Sequence, residues 1–189
     1  MNGNNITQSL ALLIIDMQES IMKVIDSSES LLNRCCFAVE AAQLLNIPVI
    51  FTEQAPDKLG PQHFKLNQLA SKGSVYSKSY FSSIKASGLL DFLKNQNIEH
   101  LLIGGIETPI CVYQTVIDAL EKDFLVTILN DCTGCRRATD GEVILKFLHH
   151  AQCHILPSES VFYTILGGAN HPKFRSMTSL VKKYSSIPH

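Results

Sequence analysis

Gly104-Gly105-Ile106-Glu107-Thr108-Pro109-Ile110-Cys111 is an apolar strand end, a glycine-bearing turn and the first turn of a helix that carries a cysteine. A helix start offers unpaired backbone N–H groups and positive potential, so a thiolate there is stabilised and its pKa is expected to fall. That makes Cys111 the best nucleophile among the six cysteines of the chain. Asp16 ends the apolar run Ser9 to Asp16, where a carboxylate is costly to bury without a partner. Lys78 ends a second run, Val75 to Lys78. Thiol, carboxylate and ammonium together form an activated nucleophile: the lysine keeps Asp16 ionised, and Asp16 takes the thiol proton as the sulfur attacks a carbonyl. The same residues also admit a blander reading, an inert thiol beside a buried ion pair, which holds if the three are not in contact.

The elements that must bring them together alternate between short β-rich runs and segments of helical period. Strands are expected at Ser9 to Asp16, Pro48 to Glu53, Val75 to Lys78, His100 to Gly104, Phe124 to Asp131 and Cys153 to Pro157. Helices are expected over 29–46, 84–96, 109–122, 137–150, 158–166 and 172–184, with a Pro- and Gly-bearing loop from Gln54 to Pro61. This alternation predicts an α/β fold, a parallel sheet covered on both faces, in a single domain over residues 1–189. Ligands gather outside the carboxyl ends of such strands. Asp16, Glu53 and Gln54, Lys78, the turn from Gly105 to Cys111 and Asp131 all fall at that edge, whereas His100, His149 and His150 fall at the other.

Composition narrows the partners. The chain has 189 residues, 46% hydrophobic and 17% charged, with a net charge of −1, so there is no electrostatic reason to expect nucleic acid. Met1 to Gln8 are polar and uncharged, and the run Leu10 to Ile15 is too short for a signal segment or a membrane span. A cytoplasmic protein with reduced cysteines is expected, with neither nucleic acid nor membrane as a partner.

With those residues in hand, the chain resembles the isochorismatase-like cysteine hydrolases. The likeness lies in Asp16-Met17-Gln18 after the first strand, Lys78 followed by Phe81-Ser82, and Gly105-Ile106-Glu107-Thr108 before Cys111. Thr52-Glu53-Gln54, Leu59-Gly60-Pro61 and His171-Pro172-Lys173-Phe174 make it similar to the subgroup of isochorismatase domain-containing proteins. The resemblance implies a three-layer, doubly wound, Rossmann-like fold with a mainly parallel sheet, and Asp16, Lys78 and Cys111 as a catalytic triad. It also implies a non-proline cis peptide between Ile106 and Glu107, with the backbone N–H groups of Glu107 and Cys111 as the oxyanion hole. Family members are usually oligomers, so a homo-oligomer is expected. By position, Gln18, Gln54, Tyr80, Phe81 and Tyr113 are candidates to line the substrate pocket, although Tyr113 could equally face the core or a partner subunit.

Two departures matter. Nicotinamidases of this family carry Asp-x-His and a further His as metal ligands after the second strand; here the stretch is Glu53-Gln54-Ala55-Pro56-Asp57, with His63 isolated beyond it. No metal site and no cofactor are therefore expected. Isochorismatases proper cleave a vinyl ether and lack the nucleophilic cysteine, so Cys111 argues against that reaction. Glu107 is an oddity, because an acid beside a developing oxyanion repels it unless its side chain turns away or meets a cationic or donor group of the substrate.

Other motifs compete less well. Cys132 and Cys135 with His149 and His154 approach zinc-finger spacing. The intervening helix, at 1.5 Å per residue, would carry His149 roughly 20 Å away. The same Cys132-Thr-Gly-Cys135 could serve as a redox pair. Lys173, Arg175, Lys182 and Lys183 read as the solvated face of a helix whose Phe174, Met177, Leu180 and Val181 pack inward or on another subunit. The expectation is a metal-independent cysteine hydrolase of a small amide or related C–N bond, with a non-catalytic binding or scaffold protein as the rival and a CxxC oxidoreductase behind it.

Overall fold

The computed structural model describes residues 9–70 and 73–185; the polar stretch Met1 to Gln8 lies outside them. Six parallel strands form one sheet in the order β3-β2-β1-β4-β5-β6. They are β1 (Leu10–Ile15), β2 (Val49–Gln54), β3 (Ser74–Lys78), β4 (His100–Ile106), β5 (Leu125–Gly134) and β6 (His154–Leu156). The helices are α1 (Glu19–Met22), α2 (Ser28–Leu44), α3 (Pro56–Leu59), α4 (Phe64–Leu69), α5 (Leu89–Asn95), α6 (Tyr113–Leu120), α7 (Ala138–His150), α8 (Ser158–Leu166) and α9 (Phe174–Ser185).

The strand period of two divides β1 between two cores. Leu10, Leu12 and Ile14 join α2, α8 and α9 on one face, while Ala11, Leu13 and Ile15 join α5, α6 and α7 on the other. All six residues are buried, as a central parallel strand covered on both sides requires. Strand order reverses direction about β1, so the carboxyl ends of β1 and β4 open onto the crevice where a doubly wound sheet takes its ligands. Among the described residues no helix is long and apolar enough to cross a membrane.

Several boundaries differ from those expected, each for a local reason. The helix read over 84–96 begins only at Leu89, because Gly88 adopts φ 80° and a 3₁₀ turn, Ser83–Lys85, precedes it. The loop read from Gln54 to Pro61 contains α3, and α1 and α4 went unpredicted; helices of four to six residues have too few positions to display a period. The helix read from Pro109 starts as a π turn, Thr108–Val112, before α6. β5 runs on to Gly134, and between the pairs Ile103–Ile128 and Gly105–Thr133 it carries three more residues than β4. Asp131 lies in that excess stretch and not at the end of a strand.

The helix read over 172–184 is α9, and its Met177 and Tyr184 are buried against α2 while Lys183 pairs with Glu40 at 2.6 Å.

Candidate active site

Asp16 leaves β1 in the left-handed region at φ 53°. Its N–H donates to the Thr52 carbonyl at 3.0 Å, and its own carbonyl accepts from Gln18 N–H at 2.7 Å. The backbone reversal is thus pinned on both sides, and the carboxylate hangs over the end of β2. Lys78, the last residue of β3, approaches from the far side of β2 and sets its Nζ 2.6 Å from Asp16 Oδ2. Both side chains are sealed from solvent. The ammonium also donates to Gln54 Oε1 at 2.7 Å and to the Phe81 carbonyl at 3.0 Å. These three short contacts use its three hydrogens. The Tyr80 carbonyl at 3.4 Å and Cys111 Sγ at 3.6 Å are the outer members of its shell.

Cys111 sits in the π turn, 7% exposed, with its thiol against the Asp16 carboxylate as well as the ammonium. Its pKa is not depressed, contrary to the expectation from its place before a helix. Burial pushes the thiol up to about 12, the Asp16 charge adds to this, and Lys78 opposes it. Partial charges at the turn cannot offset desolvation combined with an adjacent carboxylate. The raised value favours the protonated thiol at neutral pH, and the Asp16 carboxylate is the basic group against it.

Three buried hydroxyls that sequence reading assigned no role complete the cluster. Thr52 Oγ1 donates to Asp16 Oδ1 at 2.8 Å and lies 3.3 Å from Ser83 Oγ. Ser83 N–H donates to Thr115 Oγ1 at 2.8 Å, and Thr115 Oγ1 donates to the Cys111 carbonyl at 2.6 Å. The turn itself is closed by Val112 N–H on the Glu107 carbonyl at 3.2 Å, and the Ile106–Glu107 peptide bond is cis.

The remaining candidates take distinct places. Gln18 is buried, its amide nitrogen on the carbonyls of Gln54 and Gly60 at 3.1 and 2.5 Å and its oxygen accepting Gln54 N–H at 2.8 Å. Its side chain clamps the loop after β2 and has no free polar atom for a ligand. Gln54 holds Lys78 and the Ser79 carbonyl. The Tyr80 and Phe81 side chains are exposed, while their backbone carbonyls accept from the buried Lys78 ammonium. Tyr113 stacks edge-on against Phe147 of α7 at 5.9 Å between ring centroids. Glu107 turns its carboxylate to Arg136, accepting from the backbone N–H at 3.2 Å and from Nε at 3.0 Å.

Asp131, placed by sequence at the same edge, belongs to another structure. Its carboxylate accepts from Ser158 N–H at the start of α8 at 2.7 Å, from Ser158 Oγ at 2.6 Å and from Arg34 Nε at 2.9 Å. Cys132 is sealed in the core with its Sγ on the Arg34 carbonyl, whereas Cys135 reaches the Arg137 carbonyl, so the two sulfurs are directed to different partners. His149 stacks with His150 and His154 with His100, at the opposite edge of the sheet. His63 caps α4, its Nδ1 accepting Lys65 N–H. Among the described residues no group of three or more His, Cys, Asp and Glu side chains is placed to hold a metal.

A six-stranded parallel sheet with this crevice defines a three-layer, doubly wound α/β protein. Residues 10–160 match the isochorismatase domain, and the chain belongs to the isochorismatase family. It is 30% identical over 185 residues to isochorismatase domain-containing protein 2 of Bos taurus, covering 97% of this chain and 88% of the relative. It superposes with TM-score 0.89 on a structure titled MAR1 ribonuclease from Caenorhabditis elegans, 29% identical, covering 97% of this chain and 93% of that one. The YcaC gene product of Escherichia coli, described as an octameric hydrolase of unknown specificity, shares the fold with TM-score 0.78 at 17% identity over 96% of each chain.

Proposed function

We propose that this protein is a metal-independent cysteine hydrolase that cleaves a small amide or related C–N bond. The observation that carries the reading is the meeting of three side chains at one sheet edge: Lys78 Nζ lies 2.6 Å from the buried Asp16 carboxylate and 3.6 Å from the Cys111 sulfur. Asp16 takes the thiol proton as the sulfur attacks the carbonyl carbon. The tetrahedral oxyanion is held by the backbone N–H groups of Glu107 and Cys111, such donors being worth roughly 3 to 4 kcal/mol each. Collapse breaks the C–N bond, and Asp16 returns its proton to the leaving amine. Asp16 next takes a proton from water as the water oxygen attacks the thioester carbonyl; the C–S bond breaks, and Asp16 returns that proton to the leaving sulfur, releasing the acid and the free thiol. Lys78 donates to Asp16 Oδ2, Gln54 Oε1 and the Phe81 carbonyl, and so orients the carboxylate without entering the proton transfers.

The charged side chains around Cys111 are paired within the protein, Asp16 with Lys78 and Glu107 with Arg136, which supports an uncharged substrate. Phe81 and Tyr80, whose side chains are exposed on the segment that supplies carbonyls to Lys78, would meet the substrate's apolar part. The likeness to a protein titled as a ribonuclease raises RNA scission as a second reading. Phosphate recognition relies on available Lys and Arg; with the cations at this site engaged and a net charge of −1, amide cleavage is better supported. A binding or scaffold role gives no reason to bury an ion pair against a thiol.

The test is a panel of small neutral amides assayed for acid release, with intact-mass measurement of the protein after p-nitrophenyl acetate. An acetyl group on Cys111 and amide turnover, both lost in Cys111→Ala and in Asp16→Asn, are expected. Turnover that survives Cys111→Ala, or RNA cleavage that requires Cys111 while every amide is inert, would overturn the reading.

A further inference from the structure

The Asp16 carboxylate is gripped from two sides, by Lys78 on Oδ2 and by Thr52 on Oδ1 at 2.8 Å. Thr52 sits on β2 between the strands that supply the ion pair, and it is inaccessible to solvent. A threonine hydroxyl carries one hydrogen, and an ionised carboxylate only accepts, so that hydrogen is directed to Asp16. The hydrogen in the 3.3 Å contact between Thr52 Oγ1 and Ser83 Oγ must then come from Ser83. Ser83 donates a second time, through its N–H, to Thr115 Oγ1, and Thr115 directs its own hydrogen to the Cys111 carbonyl. Every hydroxyl hydrogen is thereby assigned, and one chain of contacts ties the turn that carries the sulfur to the carboxylate that must deprotonate it.

Packing alone does not account for a hydroxyl at position 52. Valine has nearly the same shape, and a buried hydroxyl is tolerated only when its hydrogen bonds are made. With Lys78 as the only donor, one carboxylate oxygen would be held and the group could still tilt about its last bond. A donor on the second oxygen, fixed to a strand, removes that freedom.

We propose that Thr52, backed by Ser83 and Thr115, is the positioning residue that holds the Asp16 carboxylate in register with the Cys111 sulfur. The proposal rests on the reading of Asp16 as the base, and its test separates the two. The probe is p-nitrophenyl acetate, whose first-turnover release of p-nitrophenolate reports acylation of Cys111 without protonation of the leaving group; melting temperature is followed in parallel. Asp16→Asn is the reference, expected to slow acylation by about 100-fold or more. Thr52→Val is expected to slow it by about 10- to 100-fold, the worth of one hydrogen bond to a charged group, while the protein still melts cooperatively. Thr52→Ser, which keeps the oxygen and loses only a methyl group, is expected to recover most of the rate.

A Thr52→Val protein as fast as wild type, with Asp16→Asn slow, overturns this proposal and leaves the base in place. Thr52→Ser as slow as Thr52→Val also overturns it, because volume and not the hydroxyl would then matter. Asp16→Asn as fast as wild type removes the base and this proposal with it. Should Thr52→Val fail to fold, Ser83→Ala reads the same chain: a loss of about threefold or more is expected, and an unchanged rate counts as refutation.

Discussion

Asp16 and Lys78 meet at 2.6 Å across an intervening strand, the carboxylate from the end of β1 and the ammonium from the end of β3, with β2 between them. Neither side chain touches water. The pair therefore locks three strand ends together at the edge where Cys111 enters, and it does so with two charges whose desolvation is repaid only while both are present.

Removing one partner should reveal that dependence. Lys78→Met leaves a carboxylate buried with Thr52 as its remaining donor, and a loss of about 3 to 5 kcal/mol in urea unfolding is expected. The double variant Asp16→Asn, Lys78→Met should regain most of that stability while remaining unable to acylate Cys111. If the double variant is no more stable than Lys78→Met, the loss comes from packing of the lysine stem and not from the stranded charge.

Glu107 offers an electrostatic test beside the same turn. Its carboxylate is 11% exposed and faces Arg136, itself 55% exposed, so the ion pair is partly screened. Arg136→Ala leaves an unpaired negative charge beside the proposed oxyanion hole, and acylation by p-nitrophenyl acetate should slow by about 2- to 5-fold. Adding Glu107→Gln to that variant should bring the rate back. No recovery would mean that Arg136 acts on the β5–α7 loop rather than through the charge of Glu107.

Asp131 separates stability from activity. It holds the first N–H of α8 and the Arg34 guanidinium, which also reaches Glu159 at 3.2 Å and lies 4.5 Å over the Phe37 ring. Asp131→Ala removes several charge-assisted hydrogen bonds at once, and a loss of about 2 to 4 kcal/mol is expected, with acylation of the folded protein unaltered. A rate that falls with an unchanged melting temperature would return Asp131 to the active site.

These cases mark what was legible in the sequence. Apolar runs such as Leu10–Ile15 announce strands because a sheet covered on both faces admits little else, so all six strands and the long helices could be read. Asp16 and Lys78 stood out because a charge ending such a run demands a partner, and Cys111 because of the turn before it. Thr52, Ser83 and Thr115 carry no such signal: hydroxyl residues are common everywhere, and their meaning appears only when three distant segments meet. Asp131 looked like its neighbours at the strand ends because the three extra residues of β5 that turn it toward Arg34 are a tertiary feature. The thiol pKa departs from the sequence expectation for a related reason, since the helix start is visible in sequence and the burial that outweighs it is not.

Buried thiols also fix the alkaline limit of stability. Cys36 and Cys153 are raised from an ordinary 9.0 to about 12 and about 11, chiefly by burial. Below pH 9 both folded and unfolded chains keep these protons, and the stabilisation is fully present. Between 9 and the folded value the unfolded chain releases a proton that the native chain retains, so stability falls by about 1.4 kcal/mol per pH unit for each thiol. Urea midpoints should therefore decline above pH 9, and Cys153→Ala should flatten the decline between pH 9 and 11 whatever it does to stability at pH 7. An identical slope in the variant would show that the native thiol ionises along with the unfolded one.

Gly105 supplies the last test, because it governs the entry to the turn that carries Cys111. It lies at φ 113°, a conformation that side chains rarely adopt, with its Cα facing the end of β1. A Cβ there would overlap the Ile15 carbonyl oxygen, which is backbone and cannot move without carrying Asp16 away from Lys78. Gly105→Ala is therefore expected to cost more than about 3 kcal/mol and to abolish Cys111 acylation even where folded protein is recovered. Gly167→Ala is the control: it shares a positive φ of 73°, but its Cβ would meet nothing within 4 Å, so only the backbone penalty of about 1 kcal/mol should appear and acylation should be retained. Equal losses in the two variants would mean that backbone conformation, rather than the close approach of β1 and β4, makes glycine necessary at position 105.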